Sequence, residues 1–479
     1  MKKNITASAF TGINNLNVKE QIEIQTGKNF RTTQGVLTTR TGNIILNLNK
    51  TFSSPIKSIH SCGISQMTSR LLVQEGSNLW LYNADSWINL KSDLSGNTLK
   101  SCSWSSYKYG NFLVLVNGSQ SFQFDIAGAT LGILDNEEEG EGHIVPSMEK
   151  VVSHHGFVFG LSPNYSPSNT LKFNSYFKET VDGEEYKYKS IDYWSPAFQI
   201  DASNKGETAL DFVNFDTHLL VLTNRGAYRL EGSDENSFTP YTVGNFPVYA
   251  IDCASKVGSY VMYLGNENGR KKVYMYAGSE IQSIGEKIEE ELNDRLYTKI
   301  FTHGQNGKFY VFMSNTTLGN TKVFIFDIHE KQWYIDYYDK VFISVCEHHD
   351  NFTDAGYMLV ACSDNSLLKF SNVDTDNVNT NIPTEFSYLL QLGRDKSKLK
   401  SIWVTAEPEL EFTLNIKAKG DENPETDTFS LTFSGEHQKA QKVKIRRCKG
   451  SNILITISST QKIDKLVNIT FVVIPKKLK

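Results

Sequence analysis

Ile300-Phe301-Thr302-His303, then Phe309-Tyr310-Val311-Phe312, then Val323-Phe324-Ile325-Phe326, is the stretch that decides the fold of this chain. Three short runs of β-branched and aromatic residues separated by turns are the mark of consecutive antiparallel strands. The same phrase recurs on both sides. Downstream, Ile343-Ser344-Val345-Cys346 precedes Tyr357-Met358-Leu359-Val360 and Leu367-Leu368-Lys369-Phe370. Upstream, copies open at Ile251-Asp252-Cys253-Ala254, Phe212-Val213-Asn214-Phe215, Val151-Val152-Ser153-His154, Leu99-Lys100-Ser101-Cys102 and Ile59-His60-Ser61-Cys62. Each is followed by an apolar strand and then an aromatic one.

These are about seven copies at a spacing of ~40–50 residues, the period of a four-stranded propeller blade. A helical solenoid would place apolar residues three and four apart inside each copy, and they are not so placed. The expected fold is therefore all-β: a β-propeller of about seven blades, with six to eight fitting the spacing. The third copy carries a Pro- and Tyr-rich insertion around Pro163–Pro196 that blurs its last strand.

At 479 residues the chain suits one large domain plus a smaller one. Residues 1–50 do not match the repeat and are expected to be an N-terminal anchor with a hairpin at Gln34-Gly35 that closes the last blade. Residues 51–383 form the propeller. Asp374–Asn381, polar and followed by Pro383, reads as a linker. Residues 384–479 contain six longer alternating strands and are expected to form a C-terminal β-sandwich-like domain. One amphipathic helix is expected at Ser279–Leu292, where Ile281, Ile284, Ile288 and Leu292 share a stripe and Ser283 with Glu286 has capping-box spacing.

The charge is uneven. Thr384 to Lys479 holds 17 Lys/Arg against 11 Asp/Glu, while the remainder holds 32 against 42. An acidic propeller is a poor grip for nucleic-acid phosphates. The basic segment, Lys442 to Lys449 with Lys476, Lys477 and Lys479, fits solvated strand edges, where lysine discourages edge-to-edge pairing. Of six cysteines none has metal-ligand spacing. Cys62, Cys102, Cys253 and Cys346 fall at similar places in their copies and are expected to be packing residues near the axis, reduced and unpaired. Met1-Lys2-Lys3 is not followed by an apolar stretch, so no signal peptide is expected, and no window has the ~18–20 apolar residues of a membrane span.

Motifs for catalysis are missing. The chain has no GxGxxG or GxxxxGK loop, no GxSxG elbow and no HExxH pair. His154-His155 and His348-His349 are neighbours, so on a strand their rings should point to opposite faces and not share a metal. The Glu137–Gly142 run has no fixed ligand geometry and reads as a charged loop. The Ser-x-Asp-x-Gly-x-Thr-Trp hairpin of sialidase blades, the WD dipeptide and the kelch signature are not found. No catalytic, cofactor-binding or metal-ligating residue is assigned, no cofactor is expected, and the chain reads as non-enzymatic.

The N-terminus carries a resemblance. Phe10-Thr11-Gly12-Ile13-Asn14-Asn15, then Asn29-Phe30-Arg31, then Gly35-Val36-Leu37-Thr38-Thr39-Arg40-Thr41-Gly42 resembles the opening of β-propeller virion proteins of tailed bacteriophages, the tail-tube nozzle and the packaged-DNA stabilisation proteins of the head–tail junction. Thr41 stands where members of that family commonly have Pro. The resemblance implies a structural, homo-oligomeric ring, sixfold, continuous with portal, adaptor or tail proteins, located in the virion, with viral DNA passing through as cargo and no membrane insertion. An acidic lining would then let DNA slide without capture. Two other functions fit a propeller: a tail-tip adhesin that stacks host glycans on the insertion's Tyr165, Tyr176, Tyr186, Tyr188, Tyr193 and Trp194, or a glycan-processing enzyme with carboxylates at the axis.

Overall fold

The computed structural model describes residues 3–7, 24, 26–33, 36–46, 48–63, 69–83, 85–95, 97–106, 110–134, 145–174, 176–181, 184–189, 191, 193–194, 198–349, 356–370, 375–376, 380–391, 397–422, 426–435 and 438–475. The anchor Phe10–Asn15 and the acidic run Glu137–Gly142 lie outside them.

Among the described residues the repeats fold as seven blades: six are four-stranded antiparallel sheets, and the seventh has its four antiparallel strands inside a six-stranded sheet. Their innermost strands are Ile56–Cys62, Lys100–Ser106, Lys150–His154, Ala209–Phe215, Ala254–Val257, Lys299–Gln305 and Phe342–His349. Each lies against the next, and the last lies against the first, so the sheets close into a ring about one axis. The second strands are largely buried, and His218–Thr223 and Phe157–Leu161 are buried along their whole length. A blade packed between two others covers both faces of its central strands, which is why these read as continuous apolar runs and not as alternations. Among the described residues two hairpins between first and second strands use two-residue turns with both φ angles positive, His155-Gly156 (φ 49° and 76°) and Asn306-Gly307 (φ 51° and 71°), the requirement of a type I′ turn.

The ring is closed by the N-terminal part of the chain, but not by the hairpin. The fourth strand of the seventh blade is Asn43–Ile45, paired as Phe370↔Asn43, Lys369↔Ile44 and Leu368↔Ile45. The hairpin Phe30–Thr33 with Val36–Thr39 instead enters a β-sandwich with the C-terminal residues. Phe30 and Leu37 are fully buried and pack into the same core as Leu466 and Phe471. Their apolar face is satisfied only there.

The sandwich has two sheets. One orders Phe30–Thr33, Val36–Thr39, Leu466–Pro475, Ser397–Ala406 and Lys439–Lys444, with Lys3–Ala7 also on Leu466–Pro475. The other orders Thr26–Lys28, Thr384–Gln391, Asn452–Ser459, Phe412–Gly420 and Asp427–Phe433. Here the period of two is clean: Phe412, Leu414, Ile416 and Ala418 face in. The first fifty residues thus supply strands to both sheets as well as to the seventh blade. The segment read as a linker is partly built in too, since Asp376 pairs in parallel with Asn43.

The long helix does not form. Ile281–Ser283 is the outer strand of the fifth blade, paired with Tyr274–Tyr276, and helical backbone begins only at Glu286 and ends at Leu292. Ile288 and Leu292 are buried, so the stripe is half right. Its first half is claimed by strand pairing, and Gly285, whose Cβ position would stand 3.0 Å from the Val273 nitrogen, takes the helix N-cap with no side-chain cap bond. The capping box at Ser283 is therefore not made. The helix packs on its own blade, and Lys322 of the sixth blade bonds Glu291 (3.1 Å) and Asp294 (3.0 Å) at its end. In the third blade the insertion forms a hairpin, Tyr176–Val181 with Glu184–Lys189, before the fourth strand Gln199–Asp201.

Candidate functional site

Two places gather polar chemistry in an otherwise apolar scaffold. The first is the axis. Where the innermost strands begin, four blades present lysine, Lys57, Lys100, Lys150 and Lys299, around a cavity of about 270 Å³ that Asp252 also lines. Lys100 donates to Asp252, and Lys150 donates to Asp211 and lies 3.6 Å from Asp252. Lys100 belongs to the second blade and Asp252 to the loop before the fifth, so this pair reaches across the axis. Asp211 is fully buried. It also accepts the backbone N–H groups of Phe212 (2.8 Å), Cys253 (3.0 Å) and Ala254 (3.2 Å). Burial works against the Lys150 ammonium, but Asp211 and Asp252 outweigh it and raise its pKa. Lys299 has no such partner. Among the described residues its ammonium makes no ion pair or hydrogen bond, and burial, aided by repulsion from Lys100 and opposed by Asp252, pushes its pKa down to about 8.

Deeper along the axis a second cavity of about 540 Å³ is lined mostly by polar residues, among them Ser61, Ser103, Glu347 and His349, with Cys62 and Cys346. His60 sits between the two. Its Nε2 meets Ser58 Oγ at 3.0 Å and its Nδ1 meets Ser101 Oγ at 2.8 Å. Because Ser58 Oγ donates to Gln74 Oε1, His60 Nε2 carries the proton and donates to Ser58. Burial, with repulsion from Lys100, pushes the imidazole down to about 3, and burial takes His303 to about 4. Both are neutral in the physiological range. The remaining inner-strand contacts join neighbouring blades: Ser61 to His348 (2.8 Å), His154 to Asn214 (3.0 Å) and Ser255 to Thr302 (2.9 Å). They brace the ring.

The second place is a buried arginine clamp built from the residues of the N-terminal signature. Asn29, at φ 60°, donates from Nδ2 to the Pro383 carbonyl (2.8 Å), and its Oδ1 accepts from Arg40 Nε (3.0 Å) and the Tyr337 N–H (2.8 Å). Arg40 is 2% exposed. Its guanidinium forks onto Asp376 at 3.0 and 2.5 Å, donates to the carbonyls of Thr41 (2.9 Å) and Tyr337 (3.3 Å), and lies 4.2 Å from the Tyr338 ring centre. Arg31 forks onto Asp336 at 2.8 and 2.6 Å. One joint therefore ties the hairpin, the sixth blade and the segment leading into the sandwich.

Several sequence expectations meet their geometry here. All six cysteines are free thiols. They do not share one depth: Cys62 ends its strand, Cys102 and Cys346 lie inside theirs, and Cys253 precedes Ala254–Val257. Burial pushes the Cys62 thiol up to about 12. His348 and His349 do diverge, with His348 bonded to Ser61 and His349 beside Glu347 at 3.7 Å. His154 and His155 do not: their rings stand 4.1 Å apart, because His155 leaves the strand into a turn at φ 49°. Among the described residues no three His, Cys, Asp or Glu side chains form a metal-sized group. In the insertion Trp194 is buried, its Nε1 bonded to the Ile191 carbonyl at 2.6 Å, and Tyr165 and Tyr193 are half-buried. Lys439–Lys444 is an edge strand that turns Lys439, Lys442 and Lys444 to solvent, the arrangement expected of strand-edge lysines.

The axial charges were missed in the sequence, although a signal existed. Once the copies are aligned, Lys57, Lys100, Lys150, Asp211, Asp252 and Lys299 fall within two residues of where a copy opens, a charged column in six of the seven blades.

No family model and no curated protein matches the sequence. Solved structures of similar fold include BBS1N in complex with ARL6DN (10% identity, 69% of this chain and 97% of that one, TM-score 0.39) and YCF48 from Cyanidioschyzon merolae (10%, 67% and 97%, TM-score 0.39). The AfRom2 CNH domain is another (10%, 69% and 99%, TM-score 0.39). These are β-propeller proteins, and the likeness concerns the fold alone. Among the described residues no helix is long and apolar enough to cross a membrane.

Proposed function

We propose that this chain is a structural subunit of a tailed-bacteriophage virion, a ring-forming tail nozzle or head–tail connector. The observation that carries the proposal is the fate of the signature residues. Asn29 and Arg40, two of the positions by which the N-terminus resembles those virion proteins, make up the buried joint between propeller and sandwich. A motif spent on locking two β-units together serves shape and rigidity. The axial carboxylates point the same way: Asp211 is held by Lys150 and three backbone N–H groups, and Asp252 by Lys100, so neither stands ready as a general base.

The test is electron microscopy of particles carrying a labelled copy of the chain, with light scattering of the protein mixed with portal and adaptor. A closed ring of copies on the neck or tail axis is the expected result. Particles that lack the protein, or single copies splayed at the tail tip, would overturn it. The acidic excess outside residues 384–479 gives a second expectation. At ~0.15 M salt, where the screening length is ~8 Å, assembled rings should not retain duplex DNA in a filter-binding assay, because a lumen without a basic footprint has no phosphate grip. Salt-sensitive retention would contradict the exit-channel role.

A further inference from the structure

We propose that the lysine-lined mouth of the propeller axis is a binding site for a small oxyanion of the phosphate or sulfate class, held by Lys299 together with Lys100.

The charge balance of the mouth is unfinished. Lys100, Lys150 and Lys299, from three blades, face two carboxylates, Asp211 and Asp252, and both carboxylates are already engaged by Lys150 and Lys100. The other titratable neighbours bring no negative charge, since His60 and His303 are neutral and burial holds the Cys253 thiol protonated. Lys299 is therefore a part-buried cation beside a second cation, Lys100, with no hydrogen-bond acceptor among the described residues. Desolvating an ammonium without a partner is unfavourable. A cavity of about 270 Å³ lies against it, lined also by the hydroxyl-bearing Thr302 and Ser344. That volume exceeds the share of several waters, about 30 Å³ each. An oxyanion there would supply both the missing charge and the missing acceptors. An organic cation would meet the opposite field, and a neutral sugar would leave Lys299 as it is.

Linkage makes the site testable. In the free protein Lys299 loses its proton near pH 8, and a bound dianion would raise that pKa. Affinity should therefore be full below about pH 7 and fall as pH rises through 8, and binding near pH 8 should take up a proton. Sulfate is the probe, because it stays doubly charged throughout.

Calorimetric titration of the full chain with sulfate, at ionic strength held constant with chloride, should show saturable binding at least about fivefold tighter at pH 6.5 than at pH 9.5. Repeating it at pH 8 in buffers of different ionisation heat should reveal the proton uptake. Lys299→Met should abolish the pH dependence and weaken binding about tenfold or more, while raising the melting temperature in sulfate-free buffer because an unpaired charge is gone. Competition by ribose 5-phosphate assigns the natural ligand to phosphate esters, and binding of inorganic ions alone assigns it to the free ion. Chloride matching sulfate, or sulfate binding without proton uptake by the unaltered protein, overturns the proposal whether or not the variant folds.

Discussion

Arg40→Met should lower the stability of the joint between propeller and sandwich by about 3–5 kcal/mol, the usual cost of removing one partner from a buried ion pair. Arg40 makes five side-chain hydrogen bonds to Asn29, Thr41, Tyr337 and Asp376. Methionine fills much of the space and makes none of them. Asp376 would keep its contact with Asn43 Nδ2 at 3.0 Å but lose its countercharge, and the Thr41 and Tyr337 carbonyls would lose a donor. Arg40→Lys should recover little. A lysine ammonium cannot fork onto Asp376 while also reaching Asn29 and lying over the Tyr338 ring. The measurement is the urea midpoint followed by tryptophan fluorescence, with amide exchange at Asn43–Ile45 as a local readout, since the ring-closing strand sits three residues from Arg40. A loss below about 1 kcal/mol with unchanged exchange would show that the clamp is not what holds the closing strand in place.

That clamp also shows what a single sequence reveals. Leu219–Leu222 and Phe309–Phe312 announced themselves, because a central blade strand buried on both faces must be apolar throughout, and local patterning records burial directly. Arg31 and Asp336 are 305 residues apart, and nothing local to either names the other. The sequence marked Arg40 as part of a signature without saying why; its reason is tertiary. The Ile281–Leu292 stripe misled because residues three and four apart suit a helix face equally well when the first belongs to a strand ending before Gly285. His155 was placed on a strand it leaves. Nothing local to Lys299 marks it either, and only the ring, by setting six strand openings side by side, turns six scattered charges into one site.

Residues 384–479 expressed alone should fail to fold cooperatively, and adding back residues 1–42 through a flexible linker should restore a single unfolding transition. One whole side of Leu466–Pro475 is covered by chain from the N-terminus, Lys3–Ala7 against Val473 to Ile469 and Leu37 against Leu466. Thr26–Lys28 plays the same part for Thr384–Gln391 in the second sheet. Without these strands each sheet presents a long apolar edge, a template for aggregation. Phe30 and Leu37 also leave the core, each worth about 1.5–3 kcal/mol of burial. Together those losses rival the ~5–15 kcal/mol of a whole domain. The reciprocal cut, residues 1–383, should suffer as well. It keeps the hairpin but removes Phe386, Leu466 and Phe471, against which Phe30 and Leu37 pack, so an apolar ribbon would hang from the sixth blade. Near-ultraviolet circular dichroism and light scattering read both outcomes. Should residues 384–479 alone melt cooperatively at the midpoint of the intact chain, the N-terminal strands would be mere covering, and the sandwich would be a domain complete without them.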